Sequence, residues 1–138
     1  IMQVLPYLGF DGRCEEAIEF YKSAVGAKVE SLMRFKESPD CPPSGKFPPE
    51  MLEKVMHSSL KIGKSTVMAT DGHCKGKPNF SGISLTLSVT SADDAERYFA
   101  ALGEGGKVTM PMAKTFFSSR FGMLTDRFGV PWMVVVQA

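Results

Sequence analysis

Long apolar runs, an excess of charge of either sign and paired cysteines are all missing from this chain. The longest apolar run, Val130 to Val136, has seven residues, far short of the ~20 that cross a bilayer. The first residues also lack the charged-then-apolar order of an export signal. The expectation is a soluble, cytoplasmic protein. Sixteen basic residues against fifteen acidic ones leave a net charge of +1, which excludes a broad electrostatic footprint for nucleic acid or an anionic membrane. A small molecule is the more natural partner. Cys14, Cys41 and Cys74 are odd in number, widely spaced and without a C-x-x-C. That pattern argues against a disulfide framework and a zinc knuckle, and for a reducing compartment.

What is present is organised by a repeat. "EEAIEFYKSAVGAKV" (Glu15 to Val29) matches "DDAERYFAALGEGGKV" (Asp93 to Val108) feature by feature, with Ala17 paired to Ala95 at an offset of 78 residues. "KIGKSTVMA" (Lys61 to Ala69) matches "RFGVPWMVV" (Arg127 to Val135), with Gly63 paired to Gly129 at an offset of 66. The first copy therefore carries about twelve extra residues. Five of the nine prolines fall between Pro39 and Pro49, where neither a ladder nor a helix interior can form. An inserted loop over about residues 37–49 is expected.

Each copy reads as strand, helix and three strands. "MQVLPYLGF" leads into a helix that Asp11 could cap, with Cys14, Ala17, Ile18, Tyr21, Ala24 and Val25 on its apolar face and Gly26 as a left-handed exit. "GISLTLSVT" leads into a helix capped by Ser91, with Ala92, Ala95, Tyr98, Phe99 and Leu102 buried and Gly103 closing it. Between and after the helices, "AKVESLMRF", "VMHSSLKI", "STVMAT", "KVTMPMA", "SSRFGMLT" and "VPWMVVV" alternate or are β-branched, as strands do. The fold class is α+β, with eight strands and two helices in two βαβββ modules. By length the chain is a single domain, able to bury roughly two-thirds of its unfolded surface. Its first module covers about residues 1–72, a linker 73–80 and the second module 81–138.

"PYLGFDGRCEEAIEFYKSAVG", "VMHSSLKIGKSTVMATD" and "GGKVTMPMAKTFFSSRFGMLTDRFGVPWM" resemble the PhnB-like branch of the vicinal oxygen chelate superfamily, which includes glyoxalase I, bleomycin-resistance proteins and extradiol dioxygenases. The resemblance runs over nearly the whole chain. It implies paired half-curled mixed sheets around a cleft, helices outside, usually in a homodimer. Relatives in this branch have carried a ubiquinone-pathway methyltransferase label. The sequence has neither a Gly-rich strand-to-helix turn of the nucleotide-binding kind nor the pattern of a doubly wound parallel sheet. One scaffold here serves many chemistries, so the resemblance does not select a reaction.

Enzymes of the superfamily hold a divalent ion with four inward His or Glu side chains. By register with them, those positions fall on Leu5 or Pro6, His57, Ser84 and Met133. One ligand in four is too few for a catalytic ion, so neither a metal nor a cofactor is expected. Strand alternation puts His57, Ser59 and Lys61 on one face and Met56, Ser58, Leu60 and Ile62 on the other. The register turns His57 into the cleft, and Ser59 with it. His57 is then the candidate catalytic acid or base, with Tyr7, Ser59, Ser84, Thr86 and Met133 as further cleft residues. Tyr7 either offers its hydroxyl to the cleft or packs.

Other groups are read as structural. "DGHC" (Asp71 to Cys74) is expected to be a surface turn, since four consecutive residues cannot easily converge on one ion. Arg120 either pairs with an anionic substrate or keeps a solvated head. Asp126 is expected to accept turn N–H groups, Gly129 to relieve a strained backbone position, and Trp132 to pack on the helix side while Met133 faces the cleft. The functional expectation is a small-molecule binding or sequestering protein of the bleomycin-resistance type. The alternative is a lyase, oxygenase or transferase using the same cleft, with His57 as acid or base or as a remnant metal ligand.

Overall fold

A computed structural model describes residues 2–37, 49–72 and 78–137. The chain divides into two compact units, Ile1–Pro78 and Asn79–Ala138. The first holds β1 (Tyr7–Gly9), α1 (Cys14–Val25), β2 (Lys28–Arg34), β3 (Val55–Ile62) and β4 (Ser65–Thr70). The second holds β5 (Leu85–Val89), α2 (Ala92–Gly103), β6 (Lys107–Ala113), β7 (Phe121–Thr125) and β8 (Pro131–Val136). The sheets repeat one topology, β1-β4-β3-β2 and β5-β8-β7-β6. In each, the first strand is parallel to the last and the other pairs are antiparallel. This is the expected α+β architecture of two βαβββ modules.

The repeat is visible in three dimensions. Ala17 and Ala95 are both fully buried on their helices, where any larger side chain would push the helix off its sheet. Gly63 and Gly129 both take a left-handed φ, 58° and 91°, at the turns entering the last strand of each sheet. Such turns admit other residues only with strain.

In the first unit, α1 lies on one face of its sheet. Its buried side chains are Cys14, Ala17, Ile18, Tyr21, Ala24 and Val25, the face read from the sequence. Cys14 Sγ sits 3.9 Å from Ser58 Oγ, so the Ser58 and Leu60 side of β3 faces the helix. Both residues are buried. Gly26 closes α1 at φ 69°.

The start of α1 corrects the sequence reading. Asp11 does not cap the helix; it is exposed and itself sits at φ 47°. The N-cap residue is Arg13, which makes no side-chain cap bond. The carboxylate that serves is Asp71, which stands just past β4 and is 2% exposed. Its Oδ1 accepts from Gly12 N at 2.6 Å and Cys14 N at 2.8 Å, and its Oδ2 from Val55 N at 3.0 Å. Because β1 and β4 are parallel neighbours, with Gly9 opposite Thr70, the residue after β4 lands beside the turn that opens α1. Asp71 is thus no surface turn residue. His73, Cys74, Cys41 and the Pro-rich stretch from residue 38 to 48 lie outside the described residues.

In the second unit, Ser91 Oγ accepts from Asp94 N at 3.1 Å, capping α2 as expected. Ala95, Phe99 and Leu102 are buried, but Ala92 is exposed and Tyr98 only half-buried. Gly103 is the last helical residue and does not close the helix; the left-handed residue is Gly105, at φ 78°. β7 is shorter than "SSRFGMLT" suggests. The Ser118 side chain takes over local backbone bonding, with Arg120 O and Val136 O both within reach of its single O–H and its oxygen accepting from Val136 N. Such competition ends a ladder. Pro111 sits in β6, an edge strand whose register shifts between Met110 and Ala113, where a missing N–H is tolerated.

Candidate functional site

Cross-strand partners share a sheet face, so the registers define what each helix-free face presents. In the first unit one row runs Tyr7, Met68, Ser59 and Ser31 over all four strands. A second row holds His57 and Met33, and a third holds Thr66, Lys61 and Lys28. The face is a mixture of hydroxyls, thioethers, one imidazole and two ammonium groups.

Its most defined feature is a contact between non-adjacent strands. Tyr7 Oη lies 3.0 Å from His57 Nδ1, and the two rings meet edge to face with centroids 5.5 Å apart at 85°. Tyr7 reaches past β4 to do this, and it stays 45% exposed. His57 is half-buried. The tyrosine engages one ring nitrogen and fixes the ring plane, while Nε2 is left to act as donor or acceptor according to tautomer. Tyr7 therefore supplies the orienting partner that no carboxylate supplies. Ser59 lies two residues along the same strand face. The sequence left Tyr7 undecided, because its proximity to His57 depends on strand order.

In the second unit Thr86, Met133, Met123 and Met110 stand in one row across the four strands. Thr86 is exposed and Met133 half-buried. Ser84 is exposed and precedes β5, so it has no ladder partner. Met110, like Met112 and Met133, is of interest from the sequence if the cleft is apolar, whereas Met123 was missed; the alternation of "FGMLT" and "KVTMPMA" gives each a face but not a neighbour. The other face belongs to α2: a Cβ on Gly103 would stand 3.7 Å from Leu124 Cδ2, and Trp132 is the cross-strand partner of Leu124. Trp132 is 3% exposed and donates from Nε1 to Asp126 Oδ2 at 2.9 Å. Asp126 Oδ1 accepts from Phe128 N and Val130 N at 2.9 and 3.0 Å. Both residues are structural, as read. Arg120 lies just before β7 and directs Nε to Glu96 Oε1 at 3.2 Å.

The donors at the four superfamily metal positions do not fit a divalent ion. Leu5 and Pro6 offer no side-chain donor, Ser84 a neutral hydroxyl and Met133 a soft thioether, and His57 already gives Nδ1 to Tyr7. Among the described residues no three His, Cys, Asp or Glu side chains come together. Cys14 is a buried free thiol, pushed up to about 12 chiefly by its burial and then by the charge of Asp71, so it is not a nucleophile at neutral pH.

Comparison with known proteins agrees with this architecture. A family model described as 3-demethylubiquinone-9 3-methyltransferase matches residues 2–135. Protein YjdN of Escherichia coli is 34% identical over 143 residues, covering 98% of this chain and 95% of that one. The crystal structure of PA1353 from Pseudomonas aeruginosa superposes with a TM-score of 0.86 at 40% identity, covering 99% and 98% of the two chains. A Bacillus cereus PhnB protein, described as a putative 3-demethylubiquinone-9 3-methyltransferase, gives 0.77 at 25% identity over 98% and 99%. A glyoxalase-related enzyme from Fulvimarina pelagi, 17% identical with a TM-score of 0.60 over 99% and 89%, shares the fold. The chain belongs to the family described as 3-demethylubiquinone-9 3-methyltransferase, the PhnB-like branch of the glyoxalase and bleomycin-resistance fold.

Proposed function

We propose that this protein binds or sequesters a small molecule on the helix-free face of its first sheet, at the Tyr7–His57 pair, and does so without a catalytic metal. The observation that carries the reading is the pair itself. A histidine kept for packing would be buried with both nitrogens satisfied; this one is half-buried, oriented through Nδ1, and surrounded by Ser59, Met33 and Met68. Thioethers adapt to apolar ligand atoms and hydroxyls orient polar ones. The Thr86, Met133, Met123 and Met110 row, with Ser84 beside it, is a second ligand surface in this reading. The homodimer and the cytoplasmic setting implied by the resemblance and the cysteine pattern belong to it as well. A species of 15.1 kDa by light scattering would remove the dimer.

One observation favours an enzyme instead. Tyr7 holds the imidazole so that Nε2 can take or give a proton, the arrangement a general base needs. The reaction class would then be a lyase, oxygenase or transferase with His57 as acid or base. A thermal-shift screen of metabolites against the wild type, His57→Ala and Tyr7→Phe separates the two. Ligand shifts in the wild type that shrink in His57→Ala and Tyr7→Phe, with no turnover in any of the three, support sequestration at the pair, whereas turnover lost in His57→Ala supports catalysis. Hits whose shifts survive Ser59→Trp, which fills the face, would sink both.

A further inference from the structure

Lys28 and Lys61 are direct cross-strand partners on the helix-free face of the first sheet. Like charges placed opposite each other repel, and a sheet normally avoids the arrangement. Neither lysine makes a hydrogen bond or ion pair with any described residue, although two cations at the far end of β2 each find a carboxylate. Arg34 holds Glu15 at 2.6 Å, and Lys36 holds Glu53 at 2.6 Å. Glu30, in the β-bulge between Val29 and Ser31, bonds to neither lysine. A lysine on an edge strand can serve only to discourage strand pairing, which would account for Lys28 on β2. It does not account for Lys61, which stands on β3 with strands on both sides.

The groups around the two ammonium charges are donors. Thr66 is the partner of Lys61 on β4, and Ser59 and Ser31 form the next pair along the same face. Three hydroxyls and two cations in adjacent rows match an oxyanion, which takes several donors at once. His57 lies four residues before Lys61, about 13 Å along the strand at the usual rise. Tyr7, Met68 and Met33 occupy the ground on the His57 side.

We propose that the ligand of this face is an anionic amphiphile: a carboxylate, phosphate or sulfonate held by Lys28 and Lys61, with an apolar or aromatic body lying over Met68 toward the Tyr7–His57 pair. The assignment rests on the face being the binding surface, as proposed above.

A matched pair of fluorescent probes tests it. 8-Anilinonaphthalene-1-sulfonate and N-phenyl-1-naphthylamine share one ring system and differ by the sulfonate. Titrated into the full chain at low salt, the sulfonate should bind at least about tenfold more tightly, the effect of one charge-assisted contact. The preference should shrink as ionic strength is raised to about 0.15 M. Lys28→Gln with Lys61→Gln should erase it while leaving binding of the amine unchanged; each single substitution should reduce it, which covers the case of a double variant that folds poorly. Equal binding of the two probes, or a preference that survives both substitutions, overturns the anion assignment and leaves the small-molecule reading standing. If neither probe binds, or if Ser59→Trp disturbs neither, both are overturned.

Discussion

Asp71 shows how one side chain can join three parts of a module. Its carboxylate closes the start of α1 at Gly12 and Cys14 and the start of β3 at Val55. Asp71→Ala should cost at least about 3 kcal/mol in urea unfolding, because three N–H groups lose a charged acceptor and two of them are in buried surroundings. Asp11→Ala should cost almost nothing by the same measurement. Cys14, with its thiol pushed up to about 12, should resist iodoacetamide at pH 8 in the folded protein and react once urea is added. Glu15 is held below the usual carboxylate range, first by its hydrogen bond to Arg34. A lowered folded value stabilises above the unfolded one, near 4.5, and the contribution fades as pH falls through the folded value. The pair is half exposed, so Glu15→Gln should remove only a few tenths of a kcal/mol at pH 7 and progressively less as pH falls below 4.5, read from urea midpoints along a pH series.

At the scale of the element, the helices were the most legible parts. The apolar face of α1 follows from three- and four-residue spacing alone, and Gly26 and Ser91 sit where local backbone chemistry demands them. The strands were legible in type but not in extent: β1 keeps three residues of "MQVLPYLGF", since a strand lasts only as long as its neighbour pairs with it. Gly122 shows the same limit. A Cβ there would stand 2.6 Å from Met112 Sδ and 2.7 Å from Phe99 Cε1, so β7 and α2 approach as closely as they do because the residue is glycine. Gly122→Ala should destabilise by about 1–3 kcal/mol, while Gly129→Ala should cost its strained φ of 91° and no clash. Thermal melts of the two variants, compared with a Phe99→Leu, Gly122→Ala double variant that relieves the ring contact, check the distinction.

On the scale of the whole molecule, the family's description raises the question of methyl transfer. Each four-stranded sheet contains a single parallel pair, unlike a doubly wound sheet. The two helix starts are served in part from within, α1 by Asp71 at Gly12 N and Cys14 N and α2 by Ser91 at Asp94 N. Incubation with S-adenosylmethionine and a demethylubiquinone analogue should give no methylated quinone by mass spectrometry. A product above the no-protein control would restore the name's literal meaning.

The sequence by itself determined the two modules, their helix faces and the alternation that separates His57 from Leu60, because propensity and periodicity act over a few residues. It also placed Trp132 in the core and assigned Asp126 to its turn, since both depend on groups within six positions in the chain. Only tertiary structure could decide that Asp71 caps α1, that Tyr7 orients His57, and that Lys28 opposes Lys61. Those contacts join residues 57, 50 and 33 positions apart in the chain, and they depend on strand order and register, which no local signal encodes.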